Sequence, residues 1–130
     1  MIENESKLID IYGYFPEFCD GEILSVNISR SVAGNSATKV VLELYYSEAK
    51  SINQGTVDFE IVKDKETITT LEFYEIEKFE LIDFNYQNVI DSLVIAEKGG
   101  VLEVLVTSSF GASLSFLCKL ARVCEVRIYA

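Results

Sequence analysis

Hydrophobic positions recur along this chain with two different spacings. The first dozen residues carry the helical one. Leu8, Ile9 and Tyr12 make an apolar stripe, Asn4 or Ser6 can cap it, and Gly13 suits the left-handed residue after a helix end. Pro16, the only proline, then drives Phe15 out of the helical region. Beyond that corner the spacing changes to two.

Leu24, Val26 and Ile28 alternate with Ser25, Asn27 and Ser29, which predicts a half-buried strand ending in the turn cluster Ala33-Gly34-Asn35-Ser36. Val40, Leu42, Leu44 and Tyr46 repeat the pattern. The polar stretch from Ser47 to Gly55 reads as a loop, Val57, Phe59 and Ile61 as a third strand, and Lys63 to Glu66 as a charged turn. Leu71 and Phe73 then sit on one face with Tyr74 and Ile76 on the other, a phase change that predicts a bulge or a strand covered on both sides. After Phe79 and Leu81, the segment from Asp83 to Asn88 is too polar for a strand interior. Val89 to Glu97 and Val101 to Ser108 flank Gly99-Gly100, a hairpin signature. Gly111 marks a turn, Leu114, Phe116 and Cys118 alternate with polar neighbours, and Cys124, Val126 and Ile128 form a last strand. The total is about eight short strands, and links of hairpin length make the pairing antiparallel. The expected architecture is one α+β domain over residues 1–130, mainly β. A curved antiparallel sheet closes towards a barrel or a sandwich, with the short N-terminal helix packed on it.

Composition narrows what such a domain can do. There are 130 residues, 49% of them hydrophobic and 25% charged, enough for a core without disulfides or metal. No histidine is present, which removes the usual general base near neutral pH and the commonest metal ligand. The balance of 21 acidic to 11 basic residues gives a net charge of −10. Nucleic acid and anionic membranes repel such a surface, whereas a basic protein is drawn to it. No signal peptide and no membrane-length apolar run is present, so the expected location is the cytoplasm. Oligomeric state stays open, because the edge strands of an open sheet can pair between chains.

Candidate chemistry is sparse. Cys19, Cys118 and Cys124 lack C-x-x-C spacing, which argues against zinc and thioredoxin-type redox sites. Cys118 and Cys124 fall on apolar strand positions, and Cys19 has only the acidic neighbours Glu17, Asp20 and Glu22, a setting for a buried or idle thiol. Glu72, Glu75, Glu77, Glu80 and Asp83 crowd one segment without a calcium-loop pattern. They read as a solvated face or a charged docking surface. Asn85, Gln87 and Asn88 suit backbone capping of a tight connection, and Asp20 of Asp20-Gly21 suits accepting N–H groups in a turn.

Two stretches together resemble a known family. Ile11-Tyr12-Gly13-Tyr14-Phe15-Pro16-Glu17-Phe18-Cys19-Asp20-Gly21-Glu22-Ile23 is similar to the aromatic-Pro-x-Phe-His-Asp-Ala-Glu signature of the bacterial immunity protein fifty family. Leu81-Ile82-Asp83-Phe84-Asn85-Tyr86-Gln87-Asn88-Val89-Ile90 is similar to its later Phe-Asn-x-Gln-Asn-Val motif. The resemblance spans nearly the whole chain. It carries over Phe15, Pro16, Phe18, Asp20 and Glu22, then Phe84, Asn85, Gln87 and Asn88; Cys19 and Gly21 depart from the common His and Ala. It implies a protein that sits beside a polymorphic toxin and protects the producing cell by binding and blocking it. The motif residues are expected mainly to build the fold, since contacts to a toxin vary with the toxin.

The functional expectation is a non-enzymatic toxin inhibitor with no cofactor or metal. Its acidic surface, drawn from Asp58, Glu60, Glu72, Glu75, Glu77 and Glu80, covers the basic active-site cleft of a cognate toxin. The alternative is a small-molecule binding module that uses the interior of a partly closed sheet.

Overall fold

The computed structural model describes residues 2–30, 32 and 38–129. It opens with β1 (Ile2–Glu3) and α1 (Ser6–Tyr12). Leu8 and Tyr12 form the buried side of the helix, and the chain leaves it at Gly13 as expected. Neither expected cap forms. Asn4 is itself left-handed (φ 61) and Ser6 is already helical, so Glu5 takes the capping position with no side-chain hydrogen bond. Seven residues cannot hold a helix unaided. Tertiary contacts do it: the Tyr12 ring meets Tyr46 edge-on at 5.2 Å, and the Tyr12 hydroxyl bonds the Lys65 carbonyl and Thr67 Oγ1, each at 2.7 Å.

The remainder is strand: β2 (Glu22–Arg30), β3 (Thr38–Ile52), β4 (Glu60–Tyr74), β5 (Glu77–Ile82), β6 (Ser92–Lys98), β7 (Val101–Thr107), β8 (Ser113–Cys118) and β9 (Leu120–Ile128). They form a five-stranded sheet, β1-β9-β4-β3-β2, and a four-stranded sheet, β5-β8-β7-β6. The fold is mainly β, as the alternation predicts, and pairing is antiparallel except where β1 runs parallel to β9. The two sheets share a core and do not close into a barrel. The chain crosses between them twice at one corner. Left-handed Glu75 (φ 61) donates its N–H to the Thr38 carbonyl at 3.0 Å, and Lys119 N–H donates to the Tyr74 carbonyl at 3.1 Å.

Period-two burial fills the space between the sheets. Val40, Leu42, Leu44, Leu71 and Phe73 face Leu102, Val104, Val106, Leu114, Phe116 and Cys118. Phe73 meets Phe116 at 5.1 Å and Phe79 stacks on Phe116 at 5.6 Å. Each fully buried side chain of this size contributes about 1.5–3 kcal/mol. The side chains that would line a ligand pocket fill it instead.

Four expectations change. The stretch from Ser47 is not a loop. β3 runs on to Ile52 and pairs with β4 from Glu48↔Asp64 to Ile52↔Glu60, so the turn lies between Ile52 and Glu60, and Lys63–Glu66 is strand. This polar ribbon hides from a periodicity reading because water bathes both its faces. β2 has a register shift between Ile23 and Ser25, which buries Ile23 and turns Leu24 outward; Ile28 keeps the core-side register opposite Val40 but is exposed near the end of this edge strand. β4 and β9 have another: Thr70 faces Glu125 and Leu71 faces Val123, so Cys124 is the extra residue and is exposed. Cys19 is exposed too, whereas Cys118 is buried and burial pushes its thiol up to about 11. The expected turn at Ala33–Ser36 lies outside the described residues.

Candidate functional site

The two sequence motifs meet. Phe18 (φ 59) and Asp20 (φ 66) are both left-handed and reverse the chain, with the Gly21 N–H donating to the Phe18 carbonyl at 2.8 Å. Gly21 lies so close to β3 that a Cβ would sit 2.6 Å from the Tyr45 carbonyl oxygen. The reversed segment then pairs with the second motif. Asp20 N–H donates to the Ile90 carbonyl at 2.8 Å, Ile90 N–H to Gly21 at 2.9 Å, Ile23 N–H to Asn88 at 2.9 Å and Leu93 N–H to Glu17 at 2.8 Å. Glu22 faces Val89 in an isolated bridge, and Val89 faces Phe110 on its other side. This junction joins the start of β2, in the five-stranded sheet, to the approach to β6, in the four-stranded one.

Asn88 fixes the junction. It is 3% exposed. Its Oδ1 accepts the Asn85 N–H at 2.8 Å and the Ala112 N–H at 3.0 Å, while its Nδ2 donates to the Asn85 carbonyl at 3.0 Å. Asn85 Oδ1 accepts the Tyr86 N–H at 2.8 Å. Gly111 (φ 106) must be glycine, because a Cβ would lie 2.5 Å from both Asn88 Cα and the Gln87 carbonyl. Capping by carboxamides is therefore the observed role of Asn85 and Asn88. Asp20 acts differently from expectation: its backbone pairs with Ile90, and among the described residues its exposed carboxylate bonds nothing in the turn.

A family model described as Immunity protein 50 matches residues 4–129. The chain belongs to that family. No curated protein and no solved structure matches it. Within the Immunity protein 50 fold the motif residues divide. Pro16, Phe18 and Asn88 are buried and Phe15 and Glu22 half-buried, whereas Asp20, Phe84, Asn85 and Gln87 are exposed. Phe18 meets Tyr46 edge-on at 5.4 Å and Phe15 at 6.3 Å.

The candidate acids do not form one surface. Asp58 and Glu60 lie at the ribbon end of β4, and Glu75 lies beyond its other end. The fourteen residue steps from Glu60 to Tyr74 span roughly 45 Å. Glu72 is 7% exposed and neutralised within the fold. Arg122 donates to its Oε1 from Nε at 3.1 Å and Nη2 at 2.6 Å, and Lys39 Nζ lies 3.1 Å from its Oε2. Burial alone would raise the Glu72 pKa, but hydrogen bonds from Arg122, Lys39 and Tyr74 outweigh it and hold the carboxyl at about 2.

Glu77 and Glu80 do share a face. Lys78 (φ 55) bulges β5, so that Glu77 faces Leu117 and Glu80 faces Ser115. Across β8 and β7 these rows continue to Glu103 and Ala96, and to Leu105 and Val94. A third row runs from Ile82 through Ser113 towards Thr107 and Ser92. This is the outer face of the four-stranded sheet, with exposed Ile82, Val94 and Leu105 among acids. Among the described residues Glu77 and Glu80 form no ion pair, Glu103 pairs with Lys98 at 2.8 Å, and Glu75 only reaches Lys119 at 4.0 Å. Glu103, Leu105 and Val94 were not singled out by sequence reading. Their signal is the near-continuous apolar runs of β6 and β7, which put apolar groups on both faces.

Charge is divided unevenly as well. Residues 8–29 and 77–118 together hold ten of the 21 acids and two of the 11 cations, hence eight of the ten net negative charges. No group of three or more Cys, Asp or Glu converges on a metal-sized site among the described residues. None of their helices is long and apolar enough to cross a membrane.

Proposed function

We propose that this chain is a cytoplasmic bacterial immunity protein that binds the toxin encoded beside it and blocks that toxin's active site, performing no turnover of its own. Family membership supports toxin neutralisation. The observation that supports the mode of action is the outer face of the four-stranded sheet, where Glu77 and Glu80 have no ion-pair partner among the described residues and stand beside exposed Ile82, Val94 and Leu105. A toxin that acts on an anionic substrate such as nucleic acid carries a basic cleft, and an acidic, partly apolar face complements it. Glu75, Glu77 and Glu80, with Glu103, form the docking rim in this reading. Glu72 belongs to the fold, and Asp58 and Glu60 lie too far away to join that rim.

The test is association between the purified chain and the polypeptide encoded next to it, followed by surface plasmon resonance from about 0.05 to 0.5 M salt. The reading expects a complex whose on-rate falls by about tenfold or more across that range while its off-rate changes little. Absence of a complex at every salt concentration, or turnover by the purified chain alone, defeats it.

A further inference from the structure

A cluster of exposed aromatic side chains stands at one end of the four-stranded sheet. Tyr86 is 86% exposed, Phe84 49% and Phe110 43%. Tyr86 and Phe110 meet edge-on with ring centroids 5.8 Å apart. Exposure of this kind normally invites mobility, yet the backbone beneath is fixed from both sides. Asn88 and Asn85 bind the loop that bears Phe84 and Tyr86. Ser108 Oγ accepts the Phe110 N–H at 3.2 Å and has one proton to share between the Val89 and Phe110 carbonyls, holding the segment that bears Phe110. Gly111 lets the two segments touch. None of these bonds buries the rings. The junction is built to hold apolar groups in water.

The surroundings say what they meet. Residues 79–97 and 99–118 contain no Lys or Arg, and Asp83 and Asp91 flank the aromatic loop. A nucleic acid would stack on such rings but would find no cation for its phosphates. A protein surface with an apolar recess bordered by Arg or Lys fits both features, because cations are attracted to the aromatic faces and to the nearby carboxylates. Size points the same way. Four strands about 4.8 Å apart and about 20 Å long present roughly 400 Å², half of what one partner contributes to a standard interface. The aromatic cluster lies just past the Ile82–Ser113 row, at the end of that sheet, and adds exposed apolar surface there.

We infer that Phe84, Tyr86 and Phe110 are the anchor of the toxin interface, filling an apolar, cation-bordered recess on the toxin, while the acids of the sheet face steer the encounter. This inference rests on the toxin-binding reading and adds the energetic centre to it. Pre-ordered aromatics lose little entropy on docking, so they act on the off-rate, whereas the acids act on the on-rate.

The experiment measures association and dissociation of the full chain with the adjacently encoded polypeptide at about 0.15 and 1 M salt, for wild type, Tyr86→Ala, Tyr86→Phe, Phe84→Ala and a Glu77→Lys/Glu80→Lys pair. Thermal melts accompany each variant; Tyr86, the most exposed ring, guards against loss of folding. Tyr86→Ala is expected to speed dissociation by about 30-fold at both salt concentrations. Tyr86→Phe stays within about threefold, since the ring is kept, and the charge reversals slow association at low salt only. If wild type binds and the charge reversals weaken it while Tyr86→Ala and Phe84→Ala both stay within threefold, the anchor is overturned and toxin binding stands. If wild type forms no complex, both fall. A Tyr86-dependent dimer of the chain alone, or Tyr86-dependent binding of a single-stranded oligonucleotide, assigns the cluster elsewhere and also overturns the inference.

Discussion

On the outer face of the five-stranded sheet, acids are answered by cations. Glu72 lies between Arg122 and Lys39, Glu43 receives Arg127 at 3.4 Å, and on the ribbon Lys65 lies 3.4 Å from Glu48. On the outer face of the four-stranded sheet Glu103 pairs with Lys98, but Glu77 and Glu80 stand near exposed apolar groups without a cation partner among the described residues. Both faces are solvent-side β surfaces of one chain, so β propensity explains neither. The difference lies in where the cations fall. Nine of the 11 lie outside residues 8–29 and 77–118, mostly in the five-stranded sheet and its ribbon. Paired charge holds neighbouring strands in register, and unpaired charge remains available to a partner.

The comparison breaks first at the junction that joins the two sheets. Replacing Asn88 with Ala removes the acceptor of two backbone N–H groups and the donor to one carbonyl, in a site that admits almost no water. A loss of about 3 kcal/mol is expected, and a melting temperature lower by roughly 10 °C. Gln87→Ala, on the exposed side of the same motif, should cost less than about 0.5 kcal/mol. Urea denaturation of both variants checks this, and equal losses would contradict the division of the motif into buried and displayed residues.

Sequence reading reaches that division only in part. It finds β3 through Val40, Leu42, Leu44 and Tyr46, and β8 through Leu114, Phe116 and Cys118, because one face of each strand is dry and the other wet. The same logic fails where that contrast is missing. The ribbon from Ser47 to Ile61 is wet on both faces, and the register shifts near Leu24 and Cys124 exchange inside for outside with no change in composition. The motifs are visible as residues, but nothing in their spacing says that Ile23 donates to Asn88. Glu72 reads as one of the exposed acids for a related reason. Its partners Lys39 and Arg122 lie 33 and 50 residues away, and only the sheet order brings them beside it.

Glu72 and Glu80 sharpen the contrast between the faces. Glu72→Gln should cost about 2 kcal/mol at neutral pH, reduced from the full value of the shift because Arg122 and Lys39 are partly exposed. The Glu72 carboxyl is lowered from 4.5 to about 2 on folding, so its contribution is complete above pH 4.5 and disappears as pH falls through about 2. Urea midpoints measured from pH 7 down to pH 2 should therefore converge for wild type and Glu72→Gln. Glu80→Gln should differ from wild type by less than about 0.5 kcal/mol across the same range. If instead Glu80→Gln matches Glu72→Gln, the two faces do not differ as described.

The smallest effect is expected at the far end of the ribbon, where Val57, Phe59 and Ile61 are exposed and Asp58 and Glu60 stand beside them. β2 and β9 end their pairing before this stretch, at Glu22↔Tyr45 and Thr67↔Ile128, so it is a two-stranded ribbon with two open edges. Such a ribbon contributes little to global stability, and the fourteen residue steps of β4, roughly 45 Å, separate it from Glu75. Asp58→Lys with Glu60→Lys, the same change of net charge as the sheet pair, should therefore leave the melting temperature within about 2 °C and toxin association within about twofold. The charge reversals at Glu77 and Glu80 change association several-fold with the same stability. If the ribbon pair slows association as much as the sheet pair does, net charge alone governs the encounter and its placement on one face does not matter. If only the sheet pair acts, the uneven distribution of cations is what makes one face of this fold a docking surface.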